Sequence, residues 1–292
     1  MSAKDRILHS MMRSKFVHGA YAVLRDTPIL GAGIQRLVQE AIPSGARMWI
    51  RIPEGLGKGS WMFADPRAEL GYTNGDHEPW IQELLKSELR EGDCYYDVGA
   101  HTGFFCLIAS RFVGQSGRVV AFEPDPDNAA ILRANVTKND ITQVDVMEMA
   151  VWSSTGNVTF DRAPEVSNRT AGHIALLGGP GLTHVLVPAV RLDEVVFKEG
   201  RLAPQLIKMD VEGAEWDALQ GAHRLLDEAK PKLLCEVHDP NEMGRICDYL
   251  KQFGYVVEEW KPVHPHYEDY RQLYLWAVPS HETAAARKRD GA

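Results

Sequence analysis

No apolar run in this chain of 292 residues reaches the ~20 residues that a membrane-crossing helix needs, and the N-terminus has no signal-peptide core. A cytoplasmic protein is the expectation from both absences. Basic charge is also short: the formal net charge is −8, where a nucleic-acid surface calls for a cationic face. Cysteine is sparse. Cys94, Cys106, Cys235 and Cys247 show no metal-ligand spacing, and the first three lie in apolar strand or helix patterns, so they read as buried reduced thiols. There is no internal repeat and no long low-complexity tract. No Gly-x-Gly-x-x-Gly closes on a pyrophosphate, and Gly57-Lys58-Gly59-Ser60 lacks the upstream glycine and following helix of a phosphate loop. What remains is ordinary globular material, 45% hydrophobic and 25% charged, with enough length for a large core.

Against that background one stretch stands out, Tyr95-Tyr96-Asp97-Val98-Gly99-Ala100-His101-Thr102-Gly103. An apolar run ends in an acid and two spaced glycines, then enters the amphipathic segment Phe104 to Val113. This is a strand, a tight loop and a helix N-terminus, the arrangement that holds nucleotide-like ligands. Glycine lets the chain turn sharply and lets a ligand approach without a Cβ in the way. A second apolar run ends at Phe122-Glu123, where a carboxylate at a strand tip can accept both hydroxyls of a ribose. Asp97 would repel a pyrophosphate but suits the cationic amino-acid end of S-adenosylmethionine. The residues therefore favour that ligand over NAD.

Alternation of strand and helix from Cys94 onward predicts an α/β fold with helices on both faces of a mainly parallel sheet. The expected strands are 94–98, 118–123, 144–149, 205–210 and 232–237, followed by strand-like runs at 255–260 and 272–278. Helices are expected at 104–113, 127–139 and 214–227, with a long irregular connection before the fourth strand.

The loop Asp97 to Gly103, the Phe122-Glu123-Pro124 turn, the run Val187 to Asp193 and above all Leu206-Ile207-Lys208-Met209-Asp210-Val211-Glu212-Gly213-Ala214-Glu215 resemble the FkbM family of class I S-adenosylmethionine-dependent methyltransferases. The resemblance covers roughly residues 74–260. It implies a Rossmann-like class I methyltransferase sheet, mostly parallel with one antiparallel strand near the C-terminus. It also implies O-methyl transfer to a sugar, glycan or natural product. In such a fold the loop after the third strand flanks the adenine, which points to Met149, Ala150 and Val151, although core packing explains them nearly as well. An acid in the turn before the first strand is a family feature, so Glu78 is a further candidate for the donor pocket. The local sequence itself reads as a helix start with Asp76 as N-cap and Pro79 in the first turn.

Ligands of open α/β sheets sit beyond the carboxyl ends of the strands. Asp210 ends the fourth strand, and Glu236 and His238, one residue apart on the fifth, share a face. These three residues could bind a divalent cation such as Mg²⁺, which would lower the pKa of a substrate hydroxyl. Alternatively His238, Asp210 or His101 could serve as a metal-free base. Glu212 and Glu215 fit a helix-capping role as well as a catalytic one. Lys208 carries no assigned chemistry. N-methyl transfer on the same donor site and a non-catalytic adenosyl-binding scaffold stay open as alternatives.

Three divisions are expected: an N-terminal helical and strand extension at 1–73, the methyltransferase domain at 74–280 and a disordered tail at 281–292. The extension could cap the substrate site, carry a homo-oligomer contact or simply pack. Its basic residues Lys4, Arg6, Arg13 and Lys15 read as a solvated helix face in preference to a membrane-binding one. Within the Gly- and Pro-rich connection 161–188, Arg169, Thr170 and His173 are candidates for closing over a ligand.

Overall fold

The computed structural model of the protein describes residues 45–162, 173–174, 183–260 and 272–282. The expected N-terminal helices, Arg169, Thr170 and the tail from residue 283 lie outside that set, and of His173 only the backbone is described.

Seven strands form the central sheet: β3 (Cys94–Val98), β4 (Arg118–Phe122), β5 (Val144–Met147), β10 (Leu206–Met209), β11 (Lys232–Val237), β12 (Tyr255–Trp260) and β13 (Leu273–Pro279). Their order is β12-β13-β11-β10-β3-β4-β5. Pairs from β11 through β5 are parallel, and β13 alone runs antiparallel to both of its neighbours. This is the class I methyltransferase arrangement. The central strands are buried on both faces, which is why β3 reads as a continuous apolar run broken only by Asp97.

Period-two alternation sends successive side chains of β3 into different cores. Tyr95 packs with α2 (Pro79–Glu88), α3 (Phe104–Val113) and α4 (Pro126–Lys138). Tyr96 packs on the other face with α5 (Leu192–Phe197), α6 (Glu215–Gln220), a π-helical turn (Leu225–Ala229) and α7 (Met243–Gln252). The expected single helix at 214–227 is therefore two pieces. Gly221 separates them, at a point where a Cβ would come within 2.1 Å of the Trp152 carbonyl oxygen.

The connection expected to be irregular carries a second sheet. Strands β6 (Ala150–Val151), β7 (Gly156–Arg162), β8 (His173–Ile174) and β9 (Thr183–Val190) pair in the order β6-β9-β7-β8. Ahead of the main sheet, the hairpin β1 (Met48–Arg51) and β2 (Trp61–Ala64) adds Met62 and Ala64 to the core that contains Tyr95. Side chains of α4, of its C-cap Asn139 and of α3 hold it in place. Trp61 and Phe63 donate backbone N–H groups to the Oδ1 atoms of Asn139 and Asn135, each at 2.7 Å. The Arg111 guanidinium donates to the carbonyls of Leu56 and Lys58, both at 2.9 Å. No helix of the described residues is long and apolar enough to cross a membrane.

Candidate active site

Two glycines shape the loop between β3 and α3. Gly99, at φ +81°, passes so close to β10 that a Cβ would lie 1.7 Å from the Asp210 carbonyl oxygen. Gly103, at φ +87°, precedes the first turn of α3, where a Cβ would meet the Leu132 side chain at 2.8 Å. Both positions need glycine on conformational and steric grounds. Ala100 is buried beside them. His101, itself at positive φ, donates its backbone N–H to Glu123 Oε2 at 2.7 Å. The other oxygen of Glu123 accepts the Asp125 N–H at 2.9 Å. The predicted loop residues and the acid at the tip of β4 thus meet in one place. Burial raises the Glu123 carboxyl to about 7, against the two backbone N–H groups that favour its charge.

Asp97 is fully buried at the end of β3. It accepts the Cys106 thiol at 3.1 Å, and its carboxyl is raised by burial, with the Lys208 charge as the main opposing influence. The ring of His101 packs beside Tyr72, and burial depresses its pKa to about 3, so it is neutral. Its centroid lies 5.7 Å from Tyr72, which stacks on Phe104 at 5.3 Å and meets His77 edge-on at 4.3 Å. Tyr72 sits on α1 (Leu70–Asn74), so residues ahead of the main sheet supply part of this packing.

Glu78 rather than Asp76 is the N-cap of α2. It adopts φ 41° with Pro79 in the first turn, and the expected side-chain cap is not made. The Glu78 carboxylate is buried and accepts the Tyr274 hydroxyl instead. Met149 lies half-buried between β5 and β6, while Ala150 is buried in β6 among Phe160, Val187 and Ala189.

At the other end of the site β10 and β11 deliver Asp210, Glu236 and His238 together. One ligand atom from each lies within 4.8 Å of the other two. His238 Nε2 is 3.7 Å from Asp210, 3.5 Å from Glu236 and 3.2 Å from Glu212, and Nδ1 donates to Glu215 at 2.7 Å. Burial alone would lower the His238 pKa. The Glu215 hydrogen bond and the charges of Asp210, Glu212 and Glu236 outweigh it and raise the ring to about 10. Glu236 is pushed up to about 9 by burial and by Asp210 beside it, and Glu212 to about 7 by the same two causes. Asp210 moves the other way, because Lys208 and His238 overcome its burial.

Glu215 takes the helix-start role that the sequence offered, and it contacts His238 as well. It accepts the Gly213 N–H at 2.9 Å at the start of α6 and also holds His238. Lys208 was given no chemistry, yet its ammonium lies 3.2 Å from Asp210 Oδ2 and 3.8 Å from Asp97 Oδ1. The available signal was a lysine inside an apolar strand. Its meaning needed the register that sets Lys208 opposite Asp97.

Comparison with known proteins bears on the family of the chain. Residues 97–257, more than half of the chain, match the family model described as the Methyltransferase FkbM domain. The hexuronic acid methyltransferase AglP of Haloferax volcanii is 27% identical over 235 residues, covering 79% of this chain and 88% of that protein. The 31-O-demethyl-FK506 methyltransferase FkbM of Streptomyces tacrolimicus is 29% identical over 205 residues, covering 60% of this chain and 78% of that one. A solved FkbM methyltransferase from Methylobacillus flagellatus superposes with a TM-score of 0.47 at 20% identity, over 68% of this chain and 51% of its own. The chain belongs to the FkbM methyltransferase family and is an S-adenosylmethionine-dependent methyltransferase.

Proposed function

We propose that this enzyme transfers a methyl group to a hydroxyl of a small polyhydroxylated acceptor, a sugar, glycan residue or natural product. The observation that carries the reading is the convergence of Asp210, Glu236 and His238 at strand ends beside the glycine loop. A hydroxyl is a poor nucleophile until its proton is drawn away, and a cluster of carboxylates offers the acceptors for that proton. The relatives support the same class. One is named for a hexuronic acid and the other for a substrate that lacks an O-methyl group.

In this reading Asp97 faces the amino-acid end of the donor, Gly99, Ala100, His101 and Gly103 let it approach, and Glu123 accepts its ribose hydroxyls. Met149 and Ala150 flank the base, and Glu78 braces the pocket from the α2 side. His238, holding a proton between its carboxylates, orients the acceptor, and the carboxylates receive the hydroxyl proton.

Asp210, Glu236 and His238 are also the residues that would hold a divalent cation such as Mg²⁺. The two carboxylates suit its preference for oxygen, and the buried Glu236 Oε1 has no hydrogen-bond partner of its own. A bound cation would lower the pKa of the acceptor hydroxyl.

The test is to incubate the protein with S-adenosylmethionine and a panel of hexuronates, hexoses and hydroxylated macrolides, with Mg²⁺ or with EDTA. Release of S-adenosylhomocysteine should accompany an acceptor mass increased by one methylene unit. Methyl found on nitrogen in amine-bearing acceptors, with every hydroxyl acceptor inert, would sink the O-methyl reading. Equal rates with Mg²⁺ and EDTA would remove the metal from it.

A further inference from the structure

Lys208 is nearly inaccessible on the central strand β10, an environment that accepts an ammonium only with counter-charges close by. It has two, Asp210 at 3.2 Å and Asp97 at 3.8 Å, and the Phe105 ring lies 5.3 Å from its Nζ. One carboxylate belongs to the donor loop and the other to the acceptor end. The ammonium therefore stands between an acid of the proposed donor half and an acid of the proposed acceptor half. Gly99 brings the donor loop against the Asp210 backbone at the same place.

The donor changes charge as it reacts. Its S–CH₃ bond breaks with the electron pair left on sulfur, so a sulfonium cation becomes a neutral sulfide. The new C–O bond forms from an oxygen lone pair of the acceptor, and the hydroxyl proton passes to the carboxylates at the strand ends. A fixed cation near the sulfur raises the energy of the sulfonium but barely affects the sulfide. The repulsion is greatest in the bound donor and is relieved as the sulfur discharges, so it lowers the barrier from that bound state.

We propose that the Lys208 ammonium, held between Asp97 and Asp210, opposes the sulfonium charge of the donor and so favours its discharge to the sulfide. This rests on the donor-site reading above. Lys208 on this account binds neither substrate; it sets the field that the sulfur experiences.

The experiment is calorimetric titration of wild type and Lys208→Met with S-adenosylmethionine and with S-adenosylhomocysteine, which differ in that one charge, together with single-turnover kinetics. Lys208→Gln, which keeps a hydrogen-bond donor toward Asp210, is the second variant in case the first does not fold. Loss of the cation should improve affinity for the sulfonium relative to the sulfide on the order of tenfold, while single-turnover methyl transfer slows. A purely structural lysine would weaken both ligands together. Wild type should bind the sulfide at least as tightly as the sulfonium. A relative affinity unchanged within about twofold in the folded variant, or a wild type that prefers the sulfonium, overturns the proposal. If wild type binds neither ligand, the donor reading falls, and this inference falls with it.

Discussion

The two halves of the proposed site differ in their electrostatics. On the proposed donor side each buried acid has partners from the protein: Glu123 accepts two backbone N–H groups, and Asp97 accepts a thiol and faces an ammonium. On the acceptor side four carboxylates crowd one imidazole, and the balance is reached by holding a proton on the ring and raising two of the acids. The proposed donor half keeps Glu123 paired to backbone and leaves Asp97 Oδ1 without a hydrogen bond of its own, a buried acceptor facing the ammonium. A half with an excess of acceptors is built to take up protons or cations from whatever enters. Lys208 and the Gly99 approach to Asp210 join the two.

Asp210→Asn should give the largest effect that separates the halves. Turnover should fall by roughly 10²–10⁴, the range for a positioned proton acceptor, with S-adenosylhomocysteine affinity little changed. An equal loss in both would mean that the halves are not functionally distinct. Next, Glu123→Ala should weaken donor binding by about 1.5–3 kcal/mol, as expected for a hydrogen bond to a charged group. Unchanged calorimetric affinity in that variant would displace the ribose from Glu123.

A smaller effect follows from the Glu123 carboxyl lying at about 7 in the empty protein. Ribose hydroxyls bind the charged form, so below that value the site must lose a proton to admit the donor. Affinity for S-adenosylhomocysteine should therefore rise as pH increases from about 6 to 8 and then level off, and Glu123→Gln should flatten that rise. Neighbouring Asp125 accepts the N–H groups of Asp127 and Asn128 at the helix N-terminus, and neutral His101 contributes only its backbone N–H. Titrations across that range would decide the point.

The elements of the proposed donor half were legible because their signals are local. Gly99, Gly103 and the apolar runs around them mark β3, α3 and β4 closely, and β11 begins and ends where the pattern put it. The same holds for Glu236 and His238, which strand periodicity alone places on one face. What stayed hidden depends on contacts far apart in sequence. The Lys208–Asp97 pair is a matter of register between strands more than 100 residues apart. Tyr72 and His77 reach the site only because α1 folds back on α3. The N-cap of α2 moved from Asp76 to Glu78 because a buried Tyr274 supplies a donor that no local pattern reveals. Strands β7 and β9 escaped notice inside a Gly- and Pro-rich connection whose ladder pairs Gly156–Arg162 with Thr183–Ala189.

The family-like segments also divide between chemistry and architecture, and the smallest functional effect tests this. Asp193 also stands in a family-like segment, yet its carboxylate is taken up by backbone and by a neighbouring guanidinium. It accepts the N–H groups of Arg224 and Leu225 at 3.1 and 2.8 Å and the Arg191 guanidinium at 2.9 Å. Those N–H groups lie at the start of the π-helical turn, where no preceding turn can pair them. Removing the acceptor leaves the buried Leu225 N–H unpaired, at a cost of about 1–3 kcal/mol if it finds no substitute. Asp193→Ala should therefore lower Tm by several degrees while the folded enzyme keeps wild-type donor affinity and turnover per active molecule. A drop in kcat without a drop in Tm would show that the architecture on this face reaches the reacting groups.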